Sequence, residues 1–435
     1  MTRTNPPSRP ANKPGAGALA VAVFVALTVA CSAGPAVASS SGPPTATPTS
    51  APPSLAPTPS AATLAPTPVA LPTTATGWSR VPTQPSVSDV QFLRVVWTGT
   101  RFVATGSALD ASGGAILDSS EGLTWNRQAT ESADQMPSAL AAGPHGVVAV
   151  ASTADHVAAW SSPDGLTWTV HPDAFPAPTG TGGASARTSF TVRGLVATDE
   201  GWLAVGREDP VCQLNCGTDP VRPLVWTSSD GLVWTSVPLR GLTGDGMDAI
   251  ARTTDGYVAV GLGKSRAAVW TSPDGTSWKP VPDKPLFHPG PGADPSSSVE
   301  MTGVAADHGV VVAAGMGGSP GGGESLVRAW LSVDGRAWSE ATGEGFKGGQ
   351  AFGLTSTPDG FLVTGPSGAD SCMGGLWASA DGRAWTCVAS DPAFSGFAPY
   401  AAAASPSIVV AVGLDSGSPA GDAGFPGAVW VKQLQ

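Results

Sequence analysis

Seven short apolar runs, each closed by glycine or another small residue, recur between residues 77 and 435: Phe102–Gly106, Val147–Val150, Trp202–Gly206, Tyr257–Gly261, Val310–Gly315, Phe361–Gly365 and Ile408–Gly413. Runs this short, continuous in apolar side chains and rich in β-branched and aromatic residues, predict strands buried on both faces rather than helices. A tight polar turn precedes each run, from Thr98-Gly-Thr100 through Thr254-Asp-Gly256 to Ser405-Pro-Ser407. Such turns reverse hairpins, so a weaker strand is expected before every apolar run. After the run comes a tryptophan-bracketed turn: Trp160…Trp168, Trp226…Trp234, Trp270…Trp278, Trp330…Trp338 and Trp377…Trp385, the rings eight positions apart with Asp-Gly between them. The unit is therefore four antiparallel strands, A to D, with tryptophans on C and D. The spacing predicts that the two rings face each other across the C–D hairpin.

A unit repeated every 51 residues or so predicts an all-β fold, a seven-bladed β-propeller of four-stranded antiparallel blades. Trp430 holds a C-strand position with no partner eight residues on, whereas Trp78 holds a D-strand position with no C strand before it. The N-terminal strand around Trp78 is expected to complete the last blade and seal the ring, which removes the open sheet edges.

Upstream, the chain changes character. Gly15 to Ala30 is apolar and uncharged, follows Arg3, Arg9 and Lys13, and is short for a bilayer span, so residues 1–38 are expected to be a secretory signal. Leu27-Thr-Val-Ala-Cys31 resembles a bacterial lipobox, with its leucine one position early. Lipid attachment at Cys31 is the favoured processing, and Ala36-Val-Ala38 offers an ordinary signal-peptidase site instead. Residues 39–76 are almost wholly Pro, Ser, Thr and Ala, a composition that buries no core and serves as an extended, disordered linker. The propeller then occupies 77–435.

Export fits the cysteines. Beyond Cys31 there are four, an even set that suggests disulfides, and Cys212–Cys216 and Cys372–Cys387 are the expected pairs among three possible connectivities. No histidine stands at zinc-ligand spacing near either pair, so no metal or other cofactor is expected. The formal charge is −11; without the signal, 19 basic side chains face 33 acidic ones, a net −14. That balance argues against nucleic acid as a partner, and leaves a lipid as the sole route to a membrane. A monomer is expected.

The turns Ser272-Pro-Asp-Gly-Thr-Ser-Trp278, Ser332-Val-Asp-Gly-Arg-Ala-Trp338 and Ser379-Ala-Asp-Gly-Arg-Ala-Trp385 resemble the Asp-box, or BNR, repeat of sialidase-like propellers, with the turn one residue tighter and Glu121 in the first copy. The resemblance implies that Asp164, Asp230, Asp274, Asp334 and Asp381 hold hairpins and bind no ligand. Sialidases also use three arginines on a carboxylate, a tyrosine nucleophile backed by Glu, and an acidic proton donor. No Arg-Ile-Pro motif occurs here. Tyr257 lies at the wrong end of its blade, while Tyr400, Asp248, Glu300, Arg94 and Arg193 fall on A strands, where a polar lining of the channel is expected. The histidines (145, 156, 171, 288 and 308) fall in turns and loops and suggest no Ser-His-Asp arrangement.

Loop length gives the functional hint. The A–B and C–D turns, on one face, are short; the connections on the other, such as Thr169–Ser189, Arg207–Arg222 and Val281–Ser298, are long and irregular. Binding residues concentrate on such loops. Arg207, Glu208, Asp209, Arg222, Arg240, Lys264 and Arg266 gather at that face and form the candidate site for an extracellular glycan or protein, set against a plain role as solubilising charge. The expected function is an exported, non-catalytic recognition or scaffold module. A sialidase-like glycoside hydrolase and an extracytoplasmic assembly factor are the alternatives, the latter because photosystem-assembly propellers carry similar repeats.

Overall fold

The computed structural model describes residues 76–434 apart from segments at 111–112, 129–135, 154–155, 177–187, 211–220, 243, 292, 295–296, 319–324, 344–345, 368–371, 390–393 and 418–423. The N-terminal strand β1 (Trp78–Arg80) and the short helix α1 (Pro85–Ser88) precede blade 1, which comprises β2 (Val90–Trp97), β3 (Phe102–Ala108), β4 (Gly114–Ser119) and β5 (Asn126–Arg127). Blade 2 is β6 (Ala139–Gly143), β7 (Gly146–Ser152), β8 (Val157–Ser162) and β9 (Thr169–His171). Blade 3 is β10 (Thr188–Ala197), β11 (Trp202–Pro210), β12 (Arg222–Ser228) and β13 (Thr235–Ser236). Blade 4 is β14 (Gly246–Thr253), β15 (Gly256–Leu262), β16 (Ala267–Ser272) and β17 (Lys279–Pro280). Blade 5 is β18 (Val299–Asp307), β19 (Val310–Gly318), β20 (Ser325–Ser332) and β21 (Trp338–Glu340). Blade 6 is β23 (Gly353–Thr357), β24 (Gly360–Thr364), β25 (Leu376–Ser379) and β26 (Ala384–Cys387), with β22 (Thr342–Gly343) added in parallel to its outer edge. Blade 7 is β27 (Phe397–Ala404), β28 (Ile408–Asp415) and β29 (Gly427–Gln433), completed by β1.

The chain is thus an all-β, seven-bladed propeller whose first strand closes the ring. Trp78 pairs with Lys432 and Arg80 with Trp430, the same offset that sets Trp338 opposite Ser332 in blade 5. Arg80 also forms an ion pair with Asp415 on β28. The B strands are the continuous apolar runs, and β28 is buried at every residue. They fill the space between blades, where the aliphatic side chains of one blade pack on those of the next.

The tryptophans do not face each other as the spacing suggested. Trp226 lies opposite Ser236 and Trp330 opposite Glu340, because the turn takes up residues that a tight hairpin would have spared. A phenylalanine from the connection before the blade fills the gap. Phe175 stacks on Trp234 with centroids 4.5 Å apart and meets Trp226 edge-on at 5.4 Å. Phe346 plays that part with Trp377 and Trp385, and Phe394 with Trp430 and Trp78. Each connection is thereby pinned to the blade that follows it, at geometries favoured by aromatic quadrupoles.

In the C–D turns the serine hydroxyl and aspartate carboxylate are spent on the backbone. Asp274 Oδ1 accepts from the amides of Thr276 and Ser277 at 2.8 and 2.6 Å, and Ser272 Oγ accepts from Gly275. Asp164, Asp230 and Asp334 repeat the arrangement, and Asp381 accepts from the Arg383 amide. The glycine of the turn has φ near +76° and sits on the preceding blade: a Cβ on Gly231 would come within 2.3 Å of Val148. Cys372 and Cys387 form a disulfide within blade 6; Cys31, Cys212 and Cys216 lie outside the described residues.

Candidate functional site at the channel mouth

The A strands of neighbouring blades pack on one another around the central channel. Near its long-loop end each ladder slips. In blades 1, 3, 4, 5 and 7 one A-strand residue is left unpaired: Leu93, Arg193, Asp248, Thr302 and Tyr400. Ser138 and Phe352 occupy the same step in blades 2 and 6, immediately before those ladders begin at Ala139 and Gly353. These are β-bulges, which re-aim side chains at the rims of closed sheets.

The glycine that ends each apolar run follows from the bulge. A Cβ on Gly261 would fall 2.0 Å from the carbonyl oxygen of Gly246, and one on Gly206 2.0 Å from that of Thr191. Gly106, Gly315, Gly365 and Gly413 meet the same obstruction at 1.7–2.2 Å. Close backbone approach, not a special φ, demands glycine here. Blade 2 carries Ala151 at that step, and its ladder stops one pair short, at Ala139–Val150.

Because the seven residues at this step differ, the mouth is divided by chemistry. Asp248 is 7% exposed and lies 3.2 Å from Arg207 Nη1 and 3.6 Å from Arg193 Nε. Arg207 also comes within 3.7 Å of Glu300, two blades on. It arrives there by lying across Gly246, where a Cβ would meet its stem at 2.8 Å. Burial pushes the Asp248 carboxyl up to about 7; Arg207 and Arg193 oppose this, while the charge of Glu300 and a hydrogen bond with it add to it. On the other side, burial and then the Arg193 charge lower the pKa of Arg94, whose Nη1 donates to the Leu93 carbonyl. Among the described residues Arg94 has no carboxylate partner. Phe352 and Tyr400 complete the circle as an aromatic pair 5.1 Å apart, and burial raises the Tyr400 pKa. The mouth therefore holds a buried aspartate with a half-buried glutamate, three guanidinium groups and an aromatic wall.

The residues grouped from the sequence part company. Arg207 turns into the channel. Glu208, the next residue on β11, is 5% exposed with Oε1 unpartnered. Arg266 is committed to Asp245 at 2.9 Å. Arg222, Arg240 and Lys264 remain exposed at the rim. Asp209 continues β11, and its side chain lies outside the described ones. Arg94, Arg193, Asp248, Glu300 and Tyr400 were visible as A-strand polar residues; the inward turn of Arg207 was signalled only by Gly246, which gives it passage.

Two clefts lie instead on the turn face. One of about 380 Å³ sits between blades 6 and 7 beside Thr76, Asp359 and Lys432, and one of about 660 Å³ between blades 3 and 4. In the second, Asp199 is held by Arg252 at 2.6 Å, and Asp230 and Asp274 are taken by their own turns. Neither gathers guanidinium groups as the mouth does.

No protein-family pattern matches the chain, and no curated protein matches it significantly in sequence. Solved propellers are similar to it in fold. Virginiamycin B lyase from Staphylococcus aureus is 9% identical with a TM-score of 0.48, covering 82% of this chain and 98% of the lyase. An α-L-arabinanase from Penicillium chrysogenum complexed with arabinobiose is 13% identical with a TM-score of 0.45, covering 81% of this chain and 97% of that one. The SapL1 lectin in complex with α-methyl fucoside is 14% identical, with a TM-score of 0.37 and coverage of 64% and 89%. Likeness at this level concerns architecture, and none of these activities is transferred to the chain.

Proposed function

We propose that this protein is an exported, lipid-tethered and non-catalytic recognition module of sialidase-like BNR ancestry, which receives an acidic glycan at the channel mouth of its long-loop face. One observation carries the reading: in a chain of net charge −11, Arg94, Arg193 and Arg207 converge on one short stretch of channel. Guanidinium groups in fixed geometry suit a carboxylate or sulfate. The partly exposed Phe352 and Tyr400 offer an apolar edge to a sugar ring. The signal-like leader and the Pro-rich linker support tethering outside the cytoplasm.

The acid pair supports binding over turnover. Glycoside hydrolysis needs two carboxyl groups free to act on either side of the scissile bond, whereas Asp248 and Glu300 are both engaged by Arg207. Tyr400 has no carboxylate beside it among the described residues. A protein partner is the second reading, favoured by Arg222, Arg240 and Lys264 standing exposed around the mouth. Binding to an array of acidic and neutral glycans tests the first reading. We expect retention of acidic glycans only, weakened at least about tenfold by Arg94→Ala or Arg193→Ala. Hydrolysis of a fluorogenic glycoside that is lost in Tyr400→Phe would refute the non-catalytic assignment. Retention of an acidic protein but no glycan would favour the second reading.

A further inference from the structure

We infer that the channel mouth is a proton-linked anion receptor, in which a proton held between Asp248 and Glu300 is retained or taken up when an acidic group binds to Arg94, Arg193 and Arg207. The inference rests on the acidic-ligand reading above and adds its control by pH.

The geometry favours a proton. Asp248, at the bulge of β14, and Glu300, on β18 of the next blade, share one cation: Arg207 Nη1 lies 3.2 Å from Asp248 Oδ1 and 3.7 Å from Glu300 Oε1. Two carboxyl groups drawn together in an enclosed place repel when both are ionised, which favours one of them keeping its proton. The pair is enclosed rather than bathed in solvent: Asp248 is buried, and the Glu300 side chain is 26% exposed.

The groups facing Asp248 come from every packed strand. Strand β10 brings Arg193, β11 brings Arg207, and β18 brings Glu300. Strand β12 brings only Arg222, exposed at the rim, and Glu208 on β11 alternates to the opposite face from Arg207. The partner strand β15 sets Gly261 and Leu262 beside the bulge, with Tyr257 at its far end. Arg94, on β2, feels the Arg193 charge.

These groups set up a competition. With one proton in the acid pair, the guanidinium groups face one negative charge fewer than when the pair is fully ionised. Full ionisation draws Arg193 and Arg207 to the Asp248 carboxylate, which already holds them at 3.6 and 3.2 Å. An incoming anion adds negative charge beside the pair and strengthens its hold on the proton. The Asp248 carboxyl, pushed up to about 7 by burial and the Glu300 charge against the pull of the arginines, exchanges that proton in the neutral range. Acidic groups therefore bind more tightly below neutrality and are released above it.

Isothermal titration calorimetry of the full chain, between pH 6 and 8 and in two buffers of different ionisation enthalpy, tests this. Trigalacturonate serves as the acidic probe and galactotriose as its neutral counterpart. A site linked to one proton should bind trigalacturonate roughly tenfold more weakly at pH 8 than at pH 6, with proton uptake on binding near pH 8. Asp248→Asn and Glu300→Gln should each bind with nearly the same affinity at both pH values and take up no proton. Glu300 is the more exposed of the two, so Glu300→Gln carries the test should Asp248→Asn fail to fold. Equal affinity at both pH values in the wild type, or an unchanged pH slope in the folded variants, overturns the inference and leaves the acidic-glycan reading standing. Absence of trigalacturonate binding at every pH overturns both.

Discussion

The two ends of the propeller use charged residues in opposite ways. On the turn face the same aspartate recurs in five blades, and each carboxylate is spent on its own hairpin, as Asp164 Oδ1 is on the amides of Leu166 and Thr167. Burial works against the ionised form of Asp274, yet the Ser277 and Thr276 amides hold its carboxyl far below the usual range. At the mouth nothing repeats: equivalent positions hold Leu93, Ser138, Arg193, Asp248, Thr302, Phe352 and Tyr400. Repetition marks what every blade needs in order to fold. Divergence at a position that every blade presents to one opening marks what the molecule can recognise.

Both ends depend on the closed ring, so the largest expected effect is its opening. A chain beginning at Pro85 lacks β1 and should lose at least about 3 kcal/mol, the cost of one buried tryptophan alone, with earlier thermal unfolding and association on size-exclusion chromatography. Next comes Gly261→Ala. Its methyl group meets the Gly246 carbonyl, so a loss of about 2–3 kcal/mol in denaturant unfolding, with a disturbed acid pair, is expected.

Asp248→Asn separates the ends by pH. A carboxyl whose folded pKa is raised binds its proton more tightly in the native state. The wild type should therefore lose stability as pH climbs from about 4 through about 7, and the variant should lack that component of the melting-temperature profile. Asp274→Ala should have the smallest effect, about 1–2 kcal/mol from lost turn hydrogen bonds, with trigalacturonate binding unchanged in calorimetry. If it abolished binding, the division between the two faces would collapse.

Much of the fold was legible because tryptophan, Asp-Gly and the glycine-closed runs recur in register, and the unpaired ends at Trp78 and Trp430 pointed to each other. The ring partners were not. Trp226 and Trp234 are separated by a turn long enough to shift the pairing by two residues, and the space goes to Phe175, an isolated aromatic in a connection rich in proline and glycine. The candidate site was half legible. Asp248, Glu300, Arg94 and Arg193 declared themselves as polar residues on inner strands, but bulges leave no mark in a single apolar run. Arg207 therefore read as a loop-facing charge although Gly246 lets it pass inward. Charge near a long loop says where a residue starts, not where its guanidinium ends.

The direction of β1 has one more consequence. It pairs antiparallel with β29, and Thr76 just before it lines a cleft with the reversals at Asp359 and Ala380. Thr76 therefore stands on the side of the propeller away from its opening. A sensor chip or bead coupled at residue 76 would hold the domain like a cup by its base, with the receiving end turned toward the sample.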